Sequence, residues 1–249
     1  REAEQRIQEL ANHDEVTGLA NRTQLLDRVD AAVHSAKWNP QPFLLLSIQV
    51  DQVDQLKQAM GYGAGDAMAM AVAARLCALA EPGDTVARLD GGEFAILLST
   101  ESSALDPQGF RHARSVVQAM SKSERLGAAE IVPGARVGVA RFPEDSDNAG
   151  GLLEAAQTAR MGIDANGEQV AVYTPETRTL ALRKLAIESG LRHAVERNEL
   201  TLTYQLQADL TSGDLAGMQL SLRWHSHELG EVPGAEFVPI AMQTGLIVM

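Results

Sequence analysis

Two β-prone runs, Thr85 to Leu89 and Phe94 to Ser99, flank the segment Asp90-Gly91-Gly92-Glu93. Adjacent glycines between carboxylates favour the positive-φ backbone of a tight turn, so this stretch is committed to an antiparallel β-hairpin. Neighbouring segments must then supply the layers that bury it. Upstream, an amphipathic helix fits residues 21 to 37 and is broken by Asn39-Pro40-Gln41-Pro42. A buried strand follows over 43 to 50, then a helix over 52 to 60, a loop from Gly61 to Gly65, and an Ala/Met-rich helix over 66 to 80. Asp66 opens that helix with a carboxylate at its positive end. Downstream, the pattern predicts a helix near 107 to 121, a strand near 135 to 142, the loop Pro143-Glu144-Asp145, a helix over 149 to 163 and a closing strand over 169 to 173. Alternating strands and helices of this kind imply an α/β (α+β) domain.

A second unit follows. A helix over 176 to 197 leads to strand-like stretches at 200 to 209 and 214 to 223 around Thr211-Ser212-Gly213, then a helix from about 234. At the other end, Ala3, Ile7, Leu10 and Ala11 make an apolar stripe expected to belong to a connecting helix. That stripe suits either packing on its own domain or a homodimeric coiled coil. The chain starts at Arg1 and stops at Met249 after an apolar stretch, and is expected to be a piece of a longer protein.

Composition narrows the partners. Of 249 residues 45% are hydrophobic, ample for a core, and the net charge of -12 excludes a nucleic-acid backbone as main partner because such binding draws on clustered Lys and Arg. The one cysteine, Cys77, cannot form an internal disulfide, which fits a reducing cytoplasm. Apolar runs such as Phe43-Leu44-Leu45-Leu46 are far shorter than the ~20 residues of a membrane span.

Four motifs carry a family resemblance. His13-Asp14-Glu15-Val16-Thr17-Gly18-Leu19-Ala20-Asn21-Arg22, Gly61-Tyr62-Gly63-Ala64-Gly65-Asp66, Arg88 to Phe94, and Val137-Gly138-Val139-Ala140-Arg141-Phe142-Pro143-Glu144-Asp145 resemble, in order, the markers of the GGDEF (diguanylate cyclase) family. Leu191-Arg192-His193-Ala194, Tyr204-Gln205, Leu222-Arg223-Trp224 and Ala235-Glu236-Phe237 resemble the start of an EAL (cyclic-di-GMP phosphodiesterase) domain. The resemblance implies a connecting helix at 1–12, a GGDEF-type domain at 13–175 with a central, mostly antiparallel sheet flanked by helices, a linker helix at 176–198, and a truncated EAL segment at 199–249. A complete EAL domain is a TIM-type barrel, and this segment is too short to close one.

The family joins two GTP molecules with divalent cations that neutralise developing charge, so carboxylate ligands are indispensable. By resemblance one ligand position is Gln49, with Asp51 at the second acidic position of the strand end, and an amide is a poor Mg²⁺ ligand. The hairpin keeps Gly91 and Glu93. Its first position is Asp90 instead of Gly, and its third, an acid in the family, is Gly92. Triphosphate-binding cations are replaced by Asp164 and Glu168, a sign reversal that disfavours phosphate. Asp66 matches the guanine-contacting Asp, while the family Asn is Lys57. At the inhibitory site the Arg is Glu81, with Asp84 retained, so product inhibition is not expected there. In the second unit the motif Glu aligns with Gln219, whereas Gln205 and Arg223 match residues that contact cyclic-di-GMP. His225-Ser226-His227 lacks ligand companions and is assigned no role. The expectation is therefore a non-enzymatic signalling protein with no cofactor. It would act through protein partners and its own EAL domain, with cyclic-di-GMP binding reserved for the full-length form. The competing expectation is a regulator that still binds GTP weakly through Asp66 and Glu93, and the third a residual cyclase or phosphodiesterase.

Overall fold

The computed structural model describes residues 11–106, 109–127, 129–163, 168–211 and 215–248. Ala3, Ile7, Leu10 and Asp164 lie outside them. The chain divides into two compact units, one ending at Arg178 and one beginning at Thr179.

In the first unit α1 (Arg22–Trp38) is followed by β1 (Phe43–Gln49), α2 (Asp51–Met60), α3 (Tyr62–Leu79), β2 (Thr85–Asp90), β3 (Glu93–Leu98), α4 (Thr100–Leu105) and α5 (Phe110–Met120). Then come β4 (Glu124–Leu126), β5 (Ala129–Ile131), β6 (Arg136–Phe142), α6 (Ala149–Met161) and β7 (Val170–Val172). The main sheet runs β2-β3-β1-β6-β7, antiparallel except for the parallel β6–β7 pair. Side chains of a strand alternate between faces, and here both faces are covered. Leu44, Leu46 and Ile48 pack with α2, α3 and α5, while Phe43 and Leu45 pack with α1 and α6. That is why β1 is apolar almost throughout. Each fully buried leucine contributes roughly 1.5–3 kcal/mol.

Several expected boundaries change. The segment read as a loop from Gly61 to Gly65 is the start of α3, so Asp66 sits within a helix rather than opening one. Gly61 alone breaks the chain, at φ 89°, a conformation open to glycine. The helix expected near 107 to 121 is α5, preceded by the short α4 that was not expected, and the β4–β5 hairpin had no strong periodic signal because its strands are three residues each.

Helix α6 lies unusually close to β6. A Cβ on Gly138 would stand 2.0 Å from the Ala156 carbonyl oxygen and 2.5 Å from the Arg160 nitrogen, so only glycine permits the approach. This contact delivers the last turns of α6 to the sheet end that carries Gln49. In the second unit α7 (Pro175–Ala194), which begins in the first, β8 (Leu200–Ala208), β9 (Leu215–Ser226), β10 (Gly230–Val232) and α8 (Gly234–Gln243) enclose a small core. The sheet order is β10-β9-β8, and no closed barrel is present among the described residues. Gly138→Ala is expected to cost about 3 kcal/mol, the upper end for overpacking, read as a lower urea midpoint of the first unit. An unchanged midpoint would mean that α6 can retreat freely.

Candidate functional site

Register brings the site together at one end of the sheet. Gln49, the last residue of β1, faces Glu93 of β3 on one side and Arg136 of β6 on the other. Immediately beyond it, the Val50 amide donates to the Gly92 carbonyl at 2.9 Å, tying the end of β1 to the β2–β3 turn. Gly91 has φ 45°, and the Gly92 amide donates to Asp54 Oδ2 at 3.3 Å. Gly92 is the tightest position of the turn: a Cβ there would stand 2.2 Å from the Val50 carbonyl oxygen. The turn therefore accepts no side chain at 92 without a backbone shift.

Arg88 braces the same turn from below. Its guanidinium is almost wholly buried, with Nε donating to the Gly91 carbonyl at 3.0 Å and Nη1 to Asp14 Oδ1 at 3.1 Å. Asp14 Oδ1 also accepts from the Thr17 amide at 2.8 Å and its hydroxyl at 2.6 Å. Burial by itself would raise the Asp14 carboxyl, but the hydrogen bonds from Thr17 and Arg88 together hold it below its ordinary value. The opening motif and the hairpin are thus one assembly.

Two arginines, neither singled out by sequence reasoning, occupy the acidic side of the site. Arg160 of α6 donates from Nη1 to Gln49 Oε1 at 2.6 Å and from Nη2 to Glu93 Oε1 at 2.7 Å, and Gln157 Nε2 donates to the same Glu93 oxygen at 2.8 Å. The Arg160 side chain is only 12% exposed and its Nε has no acceptor among the described residues. Burial pushes its guanidinium below the usual value, and the Glu93 carboxylate opposes that shift. Arg136 Nη2 clasps both oxygens of Asp51 at 2.9 and 2.7 Å, nearer the surface. The signal for Arg160 was present in α6: it follows Leu153 and Ala156 at helical spacing, on a buried stripe, where a charge needs a partner.

The family's divalent cation does not fit this donor set. Mg²⁺ prefers near-octahedral oxygen ligands with carboxylates among them. Here Gln49 offers an amide, Gly92 has neither a carboxylate nor room for one, Asp51 starts α2 in a pair with Arg136, and Glu93 is bound to Arg160. The other expected positions do not converge on this cluster. Asp66 is half-buried in α3, Lys57 is exposed with Nζ 4.5 Å from the Tyr62 ring centroid, and Asp90 and Glu168 are exposed. Asp84 clasps its own loop, accepting from the Glu81 amide at 2.9 Å and the Ser99 amide at 2.7 Å. Both acids line a cavity of about 260 Å³ that also holds Arg111 and His112.

In the second unit Gln205 pairs with Gln219, and Thr201 with Arg223, so that Gln205, Gln219 and Arg223 share one face of the β8–β9 ribbon. The opposite face is apolar, with Leu202, Tyr204 and Leu206 set against Leu222, Leu220 and Met218. At the base of the ribbon Glu199, 1% exposed, accepts from Trp224 Nε1 at 2.9 Å and lies 2.7 Å from His227 Nδ1. Those contacts, Trp224 foremost, hold its carboxyl down to about 2. His227 is thus tied to a structural carboxylate, and no cluster of three metal-binding side chains occurs among the described residues.

Comparison with known proteins places this geometry. The profile of the diguanylate cyclase GGDEF domain matches residues 11–170, and that of the EAL domain matches residues 188–248. The chain belongs to the GGDEF family, with part of an EAL domain after it. It is 30% identical over 250 residues to the cyclic di-GMP phosphodiesterase PdeR of Escherichia coli K12, covering 100% of this chain and 37% of PdeR. Identity is also 30% over 247 residues to MucR of Pseudomonas aeruginosa, a bifunctional diguanylate cyclase and cyclic di-GMP phosphodiesterase, covering 99% of this chain and 36% of MucR. The chain thus spans just over a third of these relatives. Among solved structures, the GGDEF domain of TpbB (YfiN) from Pseudomonas aeruginosa superposes with a TM-score of 0.62 at 26% identity, covering 68% of this chain and 99% of that one. The S helix-GGDEF-EAL portion of LapD from Vibrio cholerae, bound to c-di-GMP, shares the fold at 18% identity and a TM-score of 0.59, covering 98% of this chain and 56% of that portion.

Gly92→Asp, which writes back a family acid, is expected to destabilise the first unit by roughly 3 kcal/mol rather than restore a ligand. A melting temperature equal to wild type would show that the turn can open. For the second unit, a Glu199 carboxyl depressed from 4.5 to about 2 contributes stability that is complete above the unfolded value and lost as pH falls between the two. Glu199→Gln should melt lower near neutral pH and lose less on acidification. A wild-type acid profile retained in the variant would assign that dependence elsewhere.

Proposed function

We propose that this chain is a non-catalytic module of cyclic-di-GMP signalling, in which the cyclase-type domain regulates or docks a partner and its own EAL domain. The observation that carries the reading is the turn at Gly92: the Val50 carbonyl fills the space from which a metal-ligating side chain would start, while Glu93 is held by Arg160. Phosphoryl transfer depends on positioning and cation neutralisation, and each ~1.4 kcal/mol lost from the transition state is about tenfold in rate. Reversed charge at Glu168 and the amide at Gln219 favour the same conclusion for GTP and for cyclic-di-GMP hydrolysis.

Gln205 and Arg223 on one ribbon face favour cyclic-di-GMP binding by the completed EAL domain, where a phosphate would compete for Arg223 with Glu231, 3.5 Å away. Cytoplasmic location is supported by the single cysteine, and a protein rather than nucleic-acid partner by the net charge of -12. No helix among the described residues is long and apolar enough to cross a membrane. Long incubation with GTP and Mg²⁺, and separately with cyclic-di-GMP, followed by chromatography, should yield no product. Turnover that copurifies with the protein and disappears in Glu93→Gln or Gln219→Ala would overturn the reading.

A further inference from the structure

The residues around Gln49 and Glu93 do more than lack metal ligands, because a cation already stands between them. Gln49 Oε1 and Glu93 Oε1 come from neighbouring strands in direct register and converge on one guanidinium, at 2.6 and 2.7 Å. Gln157, one turn earlier on the same helix, adds a donor to the same Glu93 oxygen. The close approach of α6 to β6 at Gly138 sets this distance, so the arginine is delivered by packing rather than by a flexible surface reach.

We propose that Arg160 is a built-in counter-cation that takes the place of a divalent ion in this domain, leaving the site balanced and assembled in the absence of metal. Three features support it. The guanidinium is largely buried, yet its Nε goes without an acceptor among the described residues while both Nη groups donate to Gln49 and Glu93, so its pose follows the two oxygens. Arg136 does the same for Asp51, so Glu93 and Asp51, the acids kept at the hairpin and the strand end, each already carry an arginine partner. Finally, an ion bound to Glu93 Oε1 at the usual 2.0–2.1 Å would lie a few ångströms from a guanidinium on the same oxygen, where like charges repel and each disfavours the other's binding. Asp54 completes the inward closure by accepting the Gly92 amide, a donor otherwise open to an anionic ligand. Any nucleotide held by this domain would then bind without a metal requirement.

The inference rests on reading the domain as one without metal-dependent catalysis, and its test is separate from turnover. Mn²⁺ binding is read by the loss of the free-ion electron paramagnetic resonance signal in the 249-residue chain, its Gln49→Glu variant and the Gln49→Glu/Arg160→Met double variant. Gln49→Glu keeps the reach of the side chain and adds a carboxylate, while Arg160→Met keeps length and helix propensity and removes the cation. Wild type and the single variant should show no saturable binding, and the double variant should bind at least about tenfold more tightly than either. Binding by wild type or by the single variant as tight as by the double would overturn the inference. So would a folded double variant that takes up no Mn²⁺. Should the double variant not fold, Gln49→Glu alone decides. A melting temperature raised without Mn²⁺ and indifferent to it supports the proposal, and one raised only by Mn²⁺ overturns it. GTP turnover would refute the non-catalytic reading itself, whereas Mn²⁺ binding by wild type without turnover would remove only the counter-cation.

Discussion

The bond from the Val50 amide to the Gly92 carbonyl joins the end of the central strand to the hairpin turn, and the surrounding site is arranged about it. It holds the Val50 carbonyl where a side chain at 92 would begin, and it brings Asp54, on the first turn of α2, beneath the turn. Arg88 anchors the turn from the opposite side, through Asp14, to the segment that caps α1. Backbone, helix entry and hairpin are therefore coupled. Altering the turn would disturb the end of β1 before it rebuilt any chemistry.

Charge follows the same geometry. A carboxylate near a sheet end needs a partner when its surroundings become dry, and a metal or a guanidinium can serve. Here Glu93 and Asp51 have arginines from α6 and β6. The Asp51 pair lies near solvent and adds little stability, whereas the Arg160 pair is mostly enclosed, so breaking it would leave a poorly solvated charge. In the proposed account the fold retained its hairpin and exchanged a mobile cation for a covalent one.

Much of the fold was legible because the strong signals are local. Gly91-Gly92 specified the turn, Asn39-Pro40-Gln41-Pro42 ended α1, and the apolar run from Phe43 reported a strand covered on both faces. The start of α3 was missed because Gly61, Gly63 and Gly65 read as loop, although the close approach of Gly65 to Lys57 and Val53 belongs to helix packing. At the site, the positions of Gln49, Gly92 and Glu93 could be read as absences and survivals. The need of Arg160 for a partner could be read from the buried stripe of α6, but which partner it takes, and the roles of Gln157 and Asp54, could not, since these arise from register and from α6 resting on Gly138, relations between distant segments. The β8–β9 ribbon shows a converse case: alternation placed Gln205 and Arg223 together, but a ribbon exposed on both faces along most of its length does not by itself make a binding site.

Anomalous diffraction at the manganese edge, from crystals of this chain grown with MnCl₂, tests the central claim most directly. The account predicts the Arg160 guanidinium between Gln49 and Glu93 and no anomalous peak within coordination distance of either. A manganese peak ligated by Glu93, with Arg160 displaced, would contradict it.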